Sequence, residues 1–324
     1  MSAAEAERSE TTPLGRLALA RSTVDRATNR RGDTAWVAAA WADPRTRVLV
    51  VRDSSALVRI DGNQPELVFV SPGEAPDGTK FLLGVDEGDV VYFGVSGTLG
   101  DGTVRSGEND VKPMTLRQVG AVLSDRDAGL LTHAVALANW HDTHTHCPRC
   151  GTPTVPAPAG HLTTCPADGT EHFPRLDPAV IMLVTDPDDR CLLGRNVLWP
   201  KGRMSVLAGF VEPGESAEHA VAREVFEETA ITVGQIRYLG SQPWPMPRSL
   251  MLGFQAVAAG GQQITVDADE IGEARWFTRA ELREAIEARE VALAPTSSIA
   301  RRLIEYWYGA ELPDYAGGWG SPAR

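Results

Sequence analysis

Short apolar runs bounded by turn-forming residues dominate the first third of this sequence. The runs are four to seven residues long, rich in Val and Leu, and separated by Gly, Pro, Asn and Asp. Such punctuation is typical of antiparallel strands. Strands are expected at residues 35–38, 47–51, 56–60, 66–70, 80–85 and 89–95. The pattern predicts a β-rich N-terminal domain over residues 1–112.

The apolar spacing changes to a helical period after this sheet. Leu116, Val119 and Leu123 lie on one face of a helix with 3.6 residues per turn, and residues 130–138 resume the same period. Residues 113–145 are therefore predicted to form linking helices.

A second α/β domain is expected over residues 176–310. It begins with a continuous apolar run at 179–184, which is typical of a buried strand, and ends with an amphipathic helix at 298–308. The Pro- and Gly-rich residues 311–324 are predicted to be a disordered tail. A chain of 324 residues is long enough for two domains with separate cores.

Composition restricts the class of protein. The chain is 43% hydrophobic and 23% charged, as soluble globular proteins are. No apolar run approaches the ~18 residues of a membrane span, and the first residues are polar, so a cytoplasmic protein with no membrane partner is expected. A net charge of −12 argues against general nucleic-acid binding, which needs a basic face. It leaves room for a phosphate-bearing substrate held by metal ions.

The segment 207–231 places acidic residues at helical spacing. Ser216 is expected to cap a helix on which Glu224, Glu227 and Glu228 fall within an arc of roughly 100°. Carboxylates this close repel each other unless a divalent cation neutralises them. Mg²⁺ or Mn²⁺ suits an all-oxygen site that also grips phosphates. An exposed acidic helix without a ligand is the alternative reading of the glutamates alone.

The full string is more demanding than the glutamates alone. It reads Gly209, five residues, Glu215, seven residues, Arg223-Glu224, and then Glu227-Glu228. This string resembles the Nudix box, the loop–helix–loop of hydrolases that cleave nucleoside diphosphates linked to another moiety. Ala230 stands where the box usually has the glycine that ends the helix, a change of backbone geometry only. The resemblance implies an α/β (α+β) fold, a Nudix α/β/α sandwich with a Nudix-like N-terminal domain.

A second motif, at residues 241–249, reads Ser-Gln-Pro-Trp-Pro-Met-Pro-Arg-Ser. Alternating prolines stiffen an extended edge from which the indole can stack on a flat heteroaromatic ring. Taken alone, the motif is better explained as a rigid edge-strand loop. It is similar to the array that marks NudC-type NADH pyrophosphatases within the Nudix family, with Met246 replacing the usual phenylalanine. The resemblance covers residues 115–308 closely and the N-terminal sheet only in outline.

The resemblance implies a role for each matching residue. The catalytic group would be Glu215, Arg223, Glu224, Glu227 and Glu228, with Arg223 positioning the glutamates and one unassigned glutamate acting as general base. The Mg²⁺ or Mn²⁺ ligands would be the Ala208 carbonyl, Glu224, Glu227, Glu228 and Glu270. The dinucleotide site would be Gln242, Pro243, Trp244, Pro245, Met246, Pro247, Arg248, Ser249, Phe173, Ala300 and Arg117. Arg117 could equally be an ordinary surface arginine.

Three cysteines crowd into residues 146–175, which are predicted to form a zinc-ribbon-like segment. Cys147 and Cys150, in Cys-x-x-Cys-Gly, have the spacing that lets both thiolates face one ion. Cys165 opens the second half, where the family's fourth cysteine falls on Asp168. Asp168 or His172 could complete a structural Zn²⁺ site, and a decayed ribbon without metal is the alternative.

The resemblance also implies a reaction. Metal-activated water would hydrolyse the diphosphate bond of NADH or NAD to nicotinamide mononucleotide and AMP, and NAD caps on RNA 5′ ends offer the same bond. The family forms homodimers. One alternative is a pyrophosphatase for ADP-ribose or another nucleoside diphosphate derivative, against which the proline–tryptophan motif argues. Another is a non-catalytic dinucleotide sensor, which should have lost box glutamates and gained a DNA-binding segment.

Overall fold

Two six-stranded sheets, each with its own helices, organise the described chain in this computed structural model, which describes residues 12–61, 64–99 and 110–313. The first unit comprises Arg21–Leu176 and Pro243–Ser249, and the second comprises Met1–Ala20, Asp177–Gln242 and Leu250–Arg324. The tail is predicted to be disordered, and its residues 314–324 lie outside the described residues. The first eleven residues of the predicted N-terminal domain also lie outside them.

The first unit contains nine strands and three helices among the described residues. The strands are β1 (Arg47–Arg52), β2 (Ser55–Asp61), β3 (Gln64–Leu67), β4 (Thr79–Val85), β5 (Val91–Ser96), β6 (Asp110–Thr115), β7 (Val155–Pro156), β8 (Thr163–Thr164) and β9 (Glu171–His172). The helices are α1 (Thr34–Ala42), α2 (Leu116–Val119) and α3 (Asp125–Thr143), with a 3₁₀ turn at Thr28–Arg30.

The strands of the first unit form one sheet and a small ribbon. The sheet runs in the order β3-β2-β1-β5-β4, with β6 paired to β2; β1 and β5 are parallel and the other pairs antiparallel. Strands β7, β8 and β9 form the antiparallel ribbon. The prediction of a β-rich first part is confirmed, although the parallel pair was not foreseen.

Two local predictions in this unit need correction. Residues 35–38 were expected to be a strand but lie in α1, which begins after Asp33, whose carboxylate accepts from Trp36 N. Five of the nine residues of α1 are alanine, the best helix former, so helix propensity and the cap outweigh apolar character. The strand expected at 66–70 ends at Leu67 in β3, whereas the linking helices predicted over 113–145 are present as α2 and α3, the second of them capped by Ser124.

The second unit contains six strands and three helices among the described residues. The strands are β10 (Asp177–Thr185), β11 (Cys191–Asn196), β12 (Leu207–Phe210), β13 (Val233–Trp244), β14 (Ser249–Ala258) and β15 (Ile271–Phe277). The helices are α4 (Ala217–Thr229), α5 (Arg279–Glu287) and α6 (Ile299–Tyr308). The sheet runs β13-β14-β10-β11-β15, with β12 paired to β10.

Side chains of β10 alternate between two cores, as the pleat of a strand dictates. Val180 and Met182 belong to the core that includes residues of α4, whereas Ile181 and Leu183 belong to the core that includes residues of α5 and α6. Helices therefore cover both faces of the sheet, and the predicted α/β/α sandwich is confirmed. In the described part of the chain, no helix has the length and apolar character needed to span a membrane.

Candidate active site

The glutamate-bearing helix α4 is capped at its N-terminus by Ser216 and ends at Ala230. The Ser216 hydroxyl accepts from His219 N at 3.2 Å, so the predicted N-cap is formed. At the other end Ala230 adopts the left-handed conformation, with φ 56°. This conformation favours glycine and costs an alanine about 1 kcal/mol. The departure from the Nudix box at Ala230 therefore strains the backbone without touching a carboxylate.

One guanidinium organises the acidic face of α4. Arg223 donates from Nε and Nη2 to the two carboxylate oxygens of Glu215, both at 2.8 Å. Its Nη1 donates to Glu224 and to Glu227, each at 2.9 Å. Its Nη2 also donates to the Phe210 carbonyl at 2.9 Å. Fork-shaped donors match carboxylates in pairs, so a single side chain fixes three glutamates.

These contacts give the glutamates different acidities. Hydrogen bonds from Arg223 lower the pKa of Glu215 to about 2. Burial, together with the charges of Glu224 and Glu270, raises the pKa of Glu228 to about 8. Burial also raises the pKa of Glu224, against the opposing effect of Arg223. Glu215 is thus an ionised anchor, whereas ionisation of Glu228 at neutral pH is unfavourable without a cation.

Glu228 provides the test of whether the site fits a divalent cation. Its side chain is buried, and Oε2 has no hydrogen-bond partner within the described residues. A buried carboxylate oxygen without a partner is costly, and a bound cation removes that cost. The donors nearby are all oxygens, which are the ligands that Mg²⁺ and Mn²⁺ prefer.

Strand β12 brings its backbone against the same carboxylates. Ala208 and Gly209 pair with β10, opposite Ile181 and Val180. A Cβ at position 209 would overlap the Glu224 carboxylate, so glycine alone permits this approach. Ala208 is exposed and comes directly before Gly209 in β12. Its carbonyl therefore belongs to the strand that contacts α4.

Glu270 joins the group from outside α4. It lies in the turn before β15, is exposed, and accepts at its carbonyl from Val197 N at 2.9 Å. Its charge contributes to the raised pKa of both Glu224 and Glu228, so it lies near them as expected. We refer to Glu224, Glu227, Glu228 and Glu270 as the glutamate face. Its carboxylates do not converge within 4.8 Å as a group of three, as far as the described residues show.

The residues expected to bind the dinucleotide fall into three places. Gln242 is buried and donates to the Ser297 carbonyl at 2.9 Å, close in sequence to the buried Ala300 at the start of α6. Phe173 is 62% exposed, in the first unit. The remainder of the motif clusters with the first unit and is called the Trp244 loop: Pro243, Trp244, Pro245, Met246, Pro247, Arg248 and Ser249.

The Trp244 loop is held by two residues of the linking helices. The Arg117 guanidinium lies 5.4 Å from the centroid of the Trp244 ring, a cation–π distance. Arg117 is exposed and therefore adjoins the motif at the surface of the first unit. Asn139, on α3, donates to carbonyls of the loop, and sequence reasoning missed it. Its only signal is a polar residue within an otherwise buried helical stretch.

The cysteine-rich segment contains two turns of the same form. In each, the cysteine N–H donates to the carbonyl five residues later, and the glycine four residues later donates back to the cysteine carbonyl. The lengths are 2.8 and 2.9 Å at Cys147, and 2.9 Å for both bonds at Cys165. Gly151 and Gly169 both have φ 73°. The two halves are structural equivalents, so Asp168 occupies in the second half the place that Cys150 occupies in the first.

These turns bring four donors together in what we call the cysteine–aspartate cluster: Cys147, Cys150, Cys165 and Asp168. Their ligand atoms all lie within 4.8 Å of one another, and the Sγ atoms of Cys150 and Cys165 are 3.5 Å apart. Tetrahedral Zn²⁺ with Zn–S bonds of about 2.3 Å separates its ligands by roughly 4 Å, so the cluster fits zinc. Hydrogen bonds from Thr170 lower the pKa of Asp168 to about 2, which keeps it an anion. His172 lies outside the cluster.

Comparison with known proteins adds to this geometry. The chain matches a NUDIX domain over residues 175–296, an NADH pyrophosphatase zinc ribbon domain over 142–173 and an NADH pyrophosphatase-like rudimentary NUDIX domain over 45–140. It is 41% identical over 308 residues to NAD-capped RNA hydrolase NudC of Mycobacterium bovis, covering 90% of this chain and 95% of the relative. It is 32% identical over 332 residues to NAD-capped RNA hydrolase NUDT12 of Homo sapiens, covering 88% and 71%.

A solved NUDIX hydrolase from Nitrosomonas europaea aligns with 52% of this chain and 95% of its own, at 20% identity and a TM-score of 0.39. The sandwich, the box helix and the relatives together define an enzyme class, and the chain belongs to the Nudix hydrolase family. Within that family, the zinc ribbon and the rudimentary domain place it with the NADH pyrophosphatases. The resemblance inferred from the sequence is confirmed.

Proposed function

We propose that this chain hydrolyses the diphosphate bond of NADH and NAD, releasing nicotinamide mononucleotide and AMP, and that it removes NAD caps from RNA 5′ ends. The observation that carries the proposal is the intact glutamate face, ordered by Arg223, in a chain that also has the zinc ribbon and rudimentary domain of NADH pyrophosphatases. Relatives described as NAD-capped RNA hydrolases support the second activity.

The glutamate face and the Ala208 carbonyl would hold Mg²⁺ or Mn²⁺. When bound, such ions lower the pKa of an attacking water and neutralise charge on the diphosphate. The protein's own groups prepare the site. Arg223 holds Glu224 and Glu227 in place, and Glu215 stays ionised to anchor Arg223. One glutamate of the face accepts the proton of the attacking water.

Substrate choice is assigned to the remaining motif residues. In this proposal, the Trp244 indole stacks on a flat ring of the dinucleotide and Phe173 contributes apolar surface. The contact expected of Ala300 is not supported, because Ala300 is buried in the core of the second unit. The 62% exposure of Phe173 supports a binding role, since a large aromatic side chain gains from being covered. Arg117 stacks on Trp244 and carries a charge that phosphate would attract.

The same proposal includes a structural zinc ion, a homodimer and a cytoplasmic location. The cysteine–aspartate cluster would hold Zn²⁺ and stabilise its ribbon. All four cysteines are free, which fits a reducing, cytoplasmic setting. A homodimer is supported by the exposed apolar side chains of Phe173 and Leu176, and light scattering would show a mass twice that of the chain.

A substrate panel with Mg²⁺ tests the function. NADH, NAD, ADP-ribose and NAD-capped RNA are incubated separately, and the products are separated by chromatography. We expect nicotinamide mononucleotide and AMP from the dinucleotides, and 5′-monophosphate RNA from the capped substrate. Cleavage of ADP-ribose alone would contradict the proposal and favour the general pyrophosphatase. Binding of dinucleotide without any cleavage would favour the sensor, against which the complete set of box glutamates argues.

A further inference from the structure

The Trp244 loop has few backbone N–H donors of its own. Three of its seven residues are proline and lack an N–H, and residues 245–248 form the turn between the end of β13 and the start of β14, outside both strands. The Met246 N–H donates to the Trp244 carbonyl at 2.8 Å. Pro245 is buried, so its carbonyl needs a donor from within the protein. The shape of the loop must therefore depend on donors supplied from elsewhere.

Asn139 supplies those donors. Its Nδ2 donates to the Pro245 carbonyl at 2.6 Å and lies 3.3 Å from the Pro247 carbonyl and 3.4 Å from Ser54 Oγ. The amide orientation follows from these partners, because a flipped amide would press its oxygen against two carbonyl oxygens. One side chain therefore links the carbonyls on both sides of Met246, the residue that follows the Trp244–Pro245 pair.

The surroundings of Asn139 are themselves fixed. Ser54 lies in the tight turn between β1 and β2, where Asp53 and Ser54 have φ values of 50° and 59°. The Ser54 carbonyl accepts from Leu116 N at 3.0 Å. This bond ties the turn to the start of α2, the helix that carries Arg117 over the Trp244 ring. The turn, α2 and α3 thus form one scaffold around the loop.

We propose that Asn139 is a positioning residue that sets the conformation of the Trp244 loop and thereby the preference for nicotinamide dinucleotides. The second half of this inference rests on the proposed function, and the first half does not. This inference assigns a role in substrate selection to the rudimentary NUDIX domain, which contains Asn139. The first unit has no glutamate face, yet it builds the surface that selects the substrate.

Asn139→Leu tests the inference, because leucine has a similar size and no donors. The matched control is Asp142→Asn, an exposed change one turn along the same helix. We expect the KM for NADH to rise roughly five- to tenfold in Asn139→Leu, the effect of losing about one hydrogen bond. The kcat should change less than about twofold, and the KM for ADP-ribose, which lacks nicotinamide, should stay near the wild-type value. Equal increases in KM for both substrates would overturn the specificity role.

A second measurement is independent of activity. Trypsin cleaves after Arg248, inside the Trp244 loop, at a rate that depends on how often the loop opens. Asn139→Leu should raise the initial rate of this cleavage several-fold, followed by mass spectrometry, while Asp142→Asn should not. An unchanged rate would overturn the positioning role even if NADH kinetics had shifted. Failure of the wild-type chain to cleave NADH would contradict the proposed function, and the trypsin assay would still decide whether Asn139 holds the loop.

Discussion

The glutamate face and the cysteine–aspartate cluster are both groups of anions suited to a cation, but they are assembled in different ways. In the cluster, two identical backbone turns bring the donors within 4.8 Å, and Cys147 and Cys165 are buried. In the glutamate face, one guanidinium holds Glu224 and Glu227, and the Glu227 side chain remains 54% exposed. Closed coordination suits a structural ion, whereas open coordination leaves positions for water and substrate. The difference predicts that changes in the two sites will affect different properties.

The largest effect is expected from Glu227→Gln. The amide can still accept from Arg223, so the fold should persist, but the negative charge at the open side of the face is lost. We expect kcat to fall by about two to four orders of magnitude, the usual contribution of a charged catalytic group, with the melting temperature almost unchanged. Glu218→Gln, an exposed change on the same helix, should be neutral. Rates for Glu227→Gln close to wild type would remove Glu227 from the catalytic group.

The complementary change is Cys147→Ser in the cluster. Loss of a thiolate should abolish zinc binding and lower the free energy of unfolding by about 2–3 kcal/mol, because metal binding and folding of such ribbons are coupled. Zinc content by atomic absorption and denaturant unfolding measure the two effects. Cys191→Ser is the matched control, since Cys191 is buried outside the cluster. Equal zinc content in wild type and Cys147→Ser would contradict the assignment.

A smaller effect is expected from pH in the presence of a chelator. The pKa of Glu228 is raised to about 8 in the folded chain, above its ordinary value, so its contribution to stability is present at low pH and is lost as pH rises through 8. The buried His133 and His161 have lowered pKa values and titrate below pH ~6.5, so they do not contribute in the higher range. The thiols of Cys150, with a lowered pKa, and Cys165, with a raised pKa, do contribute there, but they are common to the wild-type chain and to the Glu228→Gln variant. The melting temperature should therefore fall by several degrees between pH 6.5 and 8.5 in EDTA.

Two comparisons decide whether Glu228 causes this slope. Glu228→Gln should flatten it, because the amide does not titrate, and added Mn²⁺ should flatten it in the wild-type chain by favouring the ionised form. A slope that survives in Glu228→Gln would locate its origin elsewhere in the chain.

The smallest effect is expected from Asp168→Cys. This change gives the second turn the thiolate that the first turn has, and zinc prefers thiolate to carboxylate in such sites. Transfer of zinc to a chromogenic chelator should become at least several-fold slower, with kcat for NADH unchanged. Faster zinc loss from Asp168→Cys would show that the carboxylate is the better partner in this ribbon.

Sequence reasoning predicted the parts of the structure that depend on local pattern. The apolar run of β10, the Ser216 cap and the spacing of Glu224, Glu227 and Glu228 are all properties of short segments. It failed at α1, where tryptophans and alanines form an apolar run without a clear period. It could not find Asn139, whose partner Pro245 lies 106 positions away. Tertiary hydrogen bonds of this kind leave no periodic trace in a sequence.

Arg223 has a consequence for how the enzyme acquires its ions. The Arg223 guanidinium already pairs with Glu215, Glu224 and Glu227 and offsets part of their repulsion, so most of the site is expected to keep its shape when metal binds or leaves. Glu228 has no contact with Arg223 among the described hydrogen bonds, and its buried carboxylate oxygen favours binding of a cation. A site whose ligands are held in place before the metal binds, and which stays open to solvent, is expected to exchange its ions readily with the surrounding solution. The supply of magnesium and manganese around the protein, rather than the history of its folding, would then decide which ion is in use.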